Sequence, residues 1–288
     1  MVETYGVGEE RFYYVAESVF GTTPTSPAML SVPCDAIDPG FDSGNILLRG
    51  AGSYDLQAIK KGLRAPDLKI SYVVPSAAPI ELLQWTKTDL NKSLSCQLIY
   101  WKGAFTTATD ILSLLYKGAR IAKASVSCEI EDVLRASMDL ISQDLATGTD
   151  KLAGATYTDH GGAVAFHETY AKKDTTTLDR VVSWKVDINN NPRRVAVIRS
   201  SNGNLAKCIP FGKRDLSGEV VFEFESKAEM DEALADTEFT LEFGLGGTNK
   251  LSLPYCKWDN VTHQKWLEDL ISVHAQYTSK GPLAISTS

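Results

Sequence analysis

Apolar residues recur at every second position through most of this chain, the period of a strand with one buried face. Leu68, Ile70, Tyr72 and Val74 share a face in a run that Pro75 ends, and Leu94, Cys96, Leu98 and Tyr100 do the same within 93–101. Similar patterns predict strands at 29–36, 45–49, 121–130, 134–142, 163–170, 180–188, 195–199, 219–225, 238–245, 251–256, 266–276 and 283–286. Helical spacing is confined to two short segments. In 79–88, Pro79 suits a first helical turn; in 226–235, Ser226 can cap, Glu229 follows three residues on, and Ala228, Met230, Ala233 and Leu234 share a face. Turn chemistry separates these runs, at Pro39-Gly40, at the Asn-Asn-Asn-Pro of 189–192 and at Gly244–Lys250 (Gly-Leu-Gly-Gly-Thr-Asn-Lys). The last lies between two strands, so it reads as a hairpin turn and not as a phosphate cradle. Residues 1–30, with Gly21, Pro24 and Pro27 near their end, predict an extended arm.

The order of elements in the second half follows that in the first. From Ile37 and from Ile188 the chain passes a turn-prone stretch, an apolar strand and a Gly-centred turn, Gly52 against Gly203. A Gly-x-Arg step follows, Gly62-Leu63-Arg64 against Gly212-Lys213-Arg214, then an alternating strand and a short helical segment. Identities are few, and the correspondence rests on order. A polar stretch at 143–154 marks the division, giving an arm (1–30), a first module (31–150) and a second (151–288). A repeated β module without a catalytic set is a building block more often than an enzyme.

Composition narrows the function further. The 288 residues carry a net charge of −7, which argues against gripping nucleic acid, since that needs a basic stripe. No run of apolar residues is long enough to span a membrane, and the N-terminus lacks the apolar core of a signal peptide. The five cysteines form no Cys-x-x-Cys pair and read as reduced, buried small residues, consistent with a reducing cytoplasm. None of the four histidines stands at metal-ligand spacing, and His167-Glu168 lacks a second histidine. Glu129, Glu131 and Asp132 could suggest a cation site, but outward charges on an alternating strand explain them more simply. No nucleophile elbow, P-loop or dinucleotide fingerprint is present. The five tryptophans are scattered over apolar faces without interleaved Lys or Arg, which favours packing over base stacking. No catalytic residue, cofactor or metal ligand is expected.

Three stretches resemble the major tail tube proteins of long-tailed phages and related archaeal viruses. They are Ala16–Met29, Val182–Arg194 and Gly212–Ser226, the last containing a Gly-x-Arg-Asp-x-x-Gly step. The first half keeps the arginine but has Pro66-Asp67 where the second has Leu216-Ser217-Gly218. The resemblance implies a mainly β fold of two tandem β-sandwich or half-barrel modules, each with a short flanking α-helix and each contributing to a ring-shaped inner β-barrel. It implies self-assembly into rings that stack head-to-tail. With two modules per chain, three chains would make a pseudo-sixfold ring. Tape measure, terminator and baseplate proteins would be its partners, and viral DNA would pass without specific binding. The lumen is expected to be acidic or neutral, with Glu131, Asp139, Glu223 and Glu242 as candidate lumen-facing acids. A terminator-like ring component of a tail or secretion tube is the alternative, and a β-sandwich binding protein a more distant one.

Overall fold

The computed structural model describes residues 6, 8–52, 54–78, 80–87, 92–108, 110–199, 201–264 and 271–287. The first half runs through β1 (Glu10–Ala16), β2 (Ala28–Ser31), β3 (Cys34–Asp42), β4 (Ile46–Arg49), β5 (Leu56–Lys60), β6 (Ala65–Val73), a 3-10 turn at Leu83–Thr86, β7 (Leu94–Trp101), β8 (Ile111–Glu129), β9 (Arg135–Ile141) and β10 (Asp144–Gly148). It continues with β11 (Thr156–Asp159) and a 3-10 turn at Phe166–Glu168. The second half comprises β12 (Ala171–Lys173), β13 (Thr176–Thr177), β14 (Val181–Asn189), β15 (Asp215–Glu223), α1 (Ala228–Leu234), β16 (Phe239–Gly244), β17 (Asn249–Gln264), β18 (Ser272–Ser279) and β19 (Ala284–Thr287).

Eight strands form one antiparallel sheet in the order β3-β6-β9-β8-β14-β15-β18-β17, so hydrogen bonding crosses from one half to the other at β8–β14. Two smaller layers pack against it. β8 is long enough to serve two sheets: its N-terminal part pairs with β7 and β10, its C-terminal part with β9 and β14. β17 does likewise, pairing first with β16 and β19 and then with β18. Both long strands turn at a left-handed residue, Gly118 (φ 65°) in β8 and Tyr255 (φ 56°) in β17. The alternation explains the layering, because inward residues such as Leu68, Met138, Val126, Val186, Val220 and Ala275 form a continuous core spanning both halves. Trp184 stacks on Phe243 at 4.6 Å, and Trp258 lies 4.5 Å from Phe239.

The two halves share their pairing order, β3-β6-β9-β8 against β14-β15-β18-β17, and also its irregularities. A bulge at Asp35, before Ile37 faces Ile70, matches one at Val182, before Trp184 faces Val220. Bulges at Ala122 and Asp259 interrupt the long strands at matching places, and a third pair lies between Leu94 and Cys96 and between Phe239 and Leu241. Left-handed residues recur as well, at Gly44 and Asn191 after β3 and β14, and at Gly52 and Asn202 in the following loops. The glycines of the Gly-x-Arg steps have the same task. A Cβ on Gly62 would meet Gly44 O at 1.9 Å, and one on Gly212 would meet Asn191 O at 2.5 Å.

Several sequence expectations need correction. Residues 10–16 and 28–31 are not part of an arm, because β1 is bonded between β2 and β7 and buries Phe12, Tyr13 and Tyr14. The Pro24–Pro27 stretch supplies only the connection between them. Among the described residues the first half has no flanking α-helix, and those within 79–88 hold only the 3-10 turn. Leu82, Leu83 and Thr86 are all buried there, and Thr86 Oγ1 donates to Leu83 O at 2.7 Å, a local bond that competes with helix continuation. The strand expected at 163–170 is a 3-10 turn held by Ala165 N–Glu168 Oε2 and Thr169 Oγ1–Phe166 O bonds of 2.8 and 2.7 Å. The strand expected at 195–199 is reduced to one bridge, Val195 with Cys208, as Arg199 folds back onto the carbonyls of Asn202 and Leu205. β11, beyond the expected break near 150, adds to the first-half layer through β2. Pro79, Thr88, Trp266 and the start of the strand expected at 266–276 lie outside the described residues.

Candidate assembly interface

Because side chains alternate, the face of the eight-stranded sheet opposite the core is polar. Cross-strand neighbours on it include Ser71–Ser137, Ser137–Ser125, Ser125–Asp187 and Asp187–Ser217. Where the halves meet, this face holds a groove of about 380 Å³ lined by Lys123, Ser137, Asp139, Asp187, Asp215 and Ser217 among others. Acids outnumber bases on this face, and some of the charges are paired locally. Asp139 stands directly opposite both Lys69 and Lys123, Lys185 Nζ is 2.9 Å from Asp187, and His274 Nδ1 is 3.2 Å from Glu219.

The seam between the halves is built by buried and half-buried polar groups. Asn190, just past β14, donates from Nδ2 to Thr86 O (2.9 Å) and Ile121 O (3.1 Å) and accepts from Arg214 Nε (3.2 Å). This gives the arginine of the second Gly-x-Arg step its role. Arg194 reaches across to Pro66 O (2.7 Å), Asp67 Oδ1 (2.5 Å) and Ser142 O (3.2 Å). Gln143 Nε2 returns a bond to Ala206 O at 2.8 Å, and the Arg120 guanidinium lies 4.9 Å from the Phe211 ring. The two outer edges of the sheet are open. β3 pairs only with β6, and β17 beyond Cys256 pairs only with β18, among the described residues. Pro39 in the middle of β3 suits an edge strand, since it has no N–H to donate outward.

Of the acids singled out in the sequence, Asp139 on β9 and Glu223 on β15 lie on the polar face, Glu223 opposite Ser272. Glu131 occupies the exposed β8–β9 turn in a left-handed conformation (φ 63°). Glu242 is elsewhere, on β16 in a smaller layer, where Lys250 Nζ at 3.0 Å and Tyr170 Oη at 2.9 Å hold it. Burial works to raise this carboxyl, but the bonds from Lys250 and Tyr170 and the charges of Lys250 and Lys172 prevail and keep it below its usual value. The structure thus separates Glu242 from Asp139 and Glu223. The sequence reading missed Asn190 and Arg194, whose only signal was their place in and after the Asn-Asn-Asn-Pro turn.

Among the described residues, no group of three His, Cys, Asp or Glu could hold a metal ion. Burial pushes the Cys34 thiol up to about 12 and the Cys256 thiol up to about 11, away from the thiolate a nucleophile requires. The Gly244–Lys250 segment forms the β16–β17 hairpin, with Gly246 and Gly247 left-handed. No helix among the described residues is long and apolar enough to cross a membrane.

The described residues form a mainly β protein built around one polar-faced sheet with two open edges. The chain belongs to the phage tail tube protein family, whose family model matches residues 9–281. Among solved structures it is similar to a chain from the virion of a native gene transfer agent particle, at 13% identity over 43% of this chain and 100% of that one, with a TM-score of 0.35. It is also similar to a chain of the anti-feeding prophage baseplate, at 13% identity over 53% of this chain and 100% of that one, again with a TM-score of 0.35. Comparison with curated proteins gives no match. The protein is a structural component of the virion tail tube that assembles with itself into tail structures.

Proposed function

We propose that this chain carries two copies of one tube module and that three chains close into a pseudo-sixfold ring. The observation that carries this reading is the continuous sheet, in which β8 of one half is bonded to β14 of the other while β3 and β17 stay open. β3 occupies in the first half the place of β14 in the second, and β17 the place of β8. Joining β17 of one chain to β3 of the next therefore reproduces between chains the contact that exists within the chain. Every open edge is then removed, which relieves the association hazard of an unpaired strand. The matching bulges and left-handed residues support duplication independently, because bulges set twist and register at fixed places.

In this reading the polar face lines the lumen. Duplex DNA passes along it during ejection, and an excess of carboxylates over lysines and arginines gives phosphates no basic stripe to grip. Of the candidate acids, Asp139 and Glu223 are assigned to the lumen, Glu131 to its rim and Glu242 to the outer layer. Rings stack head-to-tail in the tail of a long-tailed phage or related archaeal virus after assembly in the host cytoplasm, with tape measure, terminator and baseplate proteins as partners. The chain has no catalytic task. Electron microscopy of purified tubes, with native mass spectrometry of released rings, tests the count: three chains per ring is expected, and six would reject it.

A further inference from the structure

The segment after β14 and the hairpin after β3 occupy matching places, yet the apolar residues of their returning halves are covered in only one of them. Val195 bridges Cys208 just as Leu48 faces Ala58 in the β4–β5 pair. Counting on from those pairs, Ala206 corresponds to Leu56 and Ile209 to Ile59. Ala206 and Ile209 are fully buried, both at 0% exposure, in a segment laid across the first half of the same chain. Leu56 and Ile59 are 41% and 61% exposed, and Ile46, Leu47 and Leu48 beside them are exposed as well. An isolated two-stranded hairpin with this much apolar surface is marginal in water and needs a surface to cover it.

The covering surface is marked by the same correspondence. Within the chain, the segment after β14 packs on Arg120 and Gln143, with Gln143 bonded to Ala206 O and Arg120 beside Phe211, and Gly118 lies against Gln143. The pairing register of β17 with β18 puts Tyr255, Lys257 and Lys280 in those places on the second half. There Tyr255 is 51% exposed, with Lys280 Nζ 4.6 Å from its ring. Donor and receiver are therefore both uncovered in a single chain, and their counterparts are joined within it.

We propose that the β4–β5 hairpin of one copy lies across the second half of the next copy in the same ring, burying Leu56 and Ile59 on a patch that includes Tyr255, Lys257 and Lys280. The inference rests on the ring reading above and adds to it a second, apolar clasp beside the β17–β3 edge. The occupant is another copy of this chain, because the same contact in its in-chain form supplies the template. The contact is heterologous, donor hairpin to unlike patch, so it closes only by going round.

The test uses the full-length chain carrying Leu56→Cys together with Lys280→Cys, oxidised with copper–phenanthroline in assembled tubes, with each single substitution as a control for the native cysteines. Denaturing electrophoresis is expected to give cross-linked species that stop at three chains. An unbroken ladder of larger multimers would put the hairpin between stacked rings and overturn the proposal, as would intact tubes without cross-links. Cross-linking that stops at six chains would support the clasp while rejecting the three-chain count. In a second measurement, Ile59→Glu is expected to leave the melting temperature of the free chain unchanged and to abolish ring formation; rings that still form would overturn the clasp.

Discussion

Asn190 has no exposed surface and spends its amide on two carbonyls of the first half and on Arg214. Replacing it by alanine leaves Thr86 O and Ile121 O without that donor in a buried seam. Asn190→Ala is expected to destabilise the chain by about 3 kcal/mol, since each buried group left unsatisfied costs roughly 1–3 kcal/mol. Urea unfolding would register this as a lower midpoint with an unchanged slope. Gly118 is a second residue whose identity is dictated by its neighbours. It is left-handed, and an added Cβ would lie 2.9 Å from Gln143 Cβ and 3.2 Å from the Phe20 ring. Gly118→Ala is expected to cost about 2 kcal/mol or more, combining backbone strain with overpacking, and thermal unfolding would read it out. Neither role was legible in the sequence. A run of asparagines announces a turn, and nothing in it says that one amide will be buried against a distant carbonyl.

On the scale of elements, β16 is held to its neighbours by charge as well as by its ladder. Glu242 stands opposite Lys172 and bonds Lys250 and Tyr170, with 18% of its side chain exposed. Its folded carboxyl lies below its ordinary value of 4.5, so the stabilisation is complete above that pH and is lost as pH falls through the lower folded value. Glu242→Gln is therefore expected to be less stable than the parent by about 1 kcal/mol at neutral pH, with the difference shrinking progressively as pH falls below 4.5. Unfolding midpoints measured from pH 7 down to pH 3 would check it, and a constant difference would refute the linkage. Most strands were legible because alternation of apolar and polar residues is a local signal. The Gly-x-Arg steps were also legible in register, as Arg64 and Arg214 immediately precede β6 and β15. The start of the correspondence was not. Ile37 was set against Ile188, but in pairing register Ile37 faces Ile70 as Trp184 faces Val220. Bulges and edge pairing depend on partners far along the chain, and so leave no mark in a short window. β1 was misread for the same reason, since its Gly- and Pro-rich sequel resembles an arm until β7 is placed beside it.

For the whole molecule, strand number fixes the bore. Eight strands per chain form the continuous sheet. Three chains would close a barrel of about 24 strands, and strands about 4.8 Å apart with a tilt of 35–45° give roughly 45–50 Å across its backbone. Six chains would roughly double that diameter. A cryo-EM map is expected to show the narrower wall, with the polar sheet face toward the axis. The seam at β8–β14 has one further consequence. A ring of three such chains would contain two kinds of junction in alternation, one tethered within a polypeptide and one free to part. A protein meeting the ring end-on would find three equivalent footholds separated by three unlike ones. Any partner whose own symmetry is sixfold would have to tolerate that alternation, and one whose symmetry is threefold could use it to fix its rotational setting on the tube.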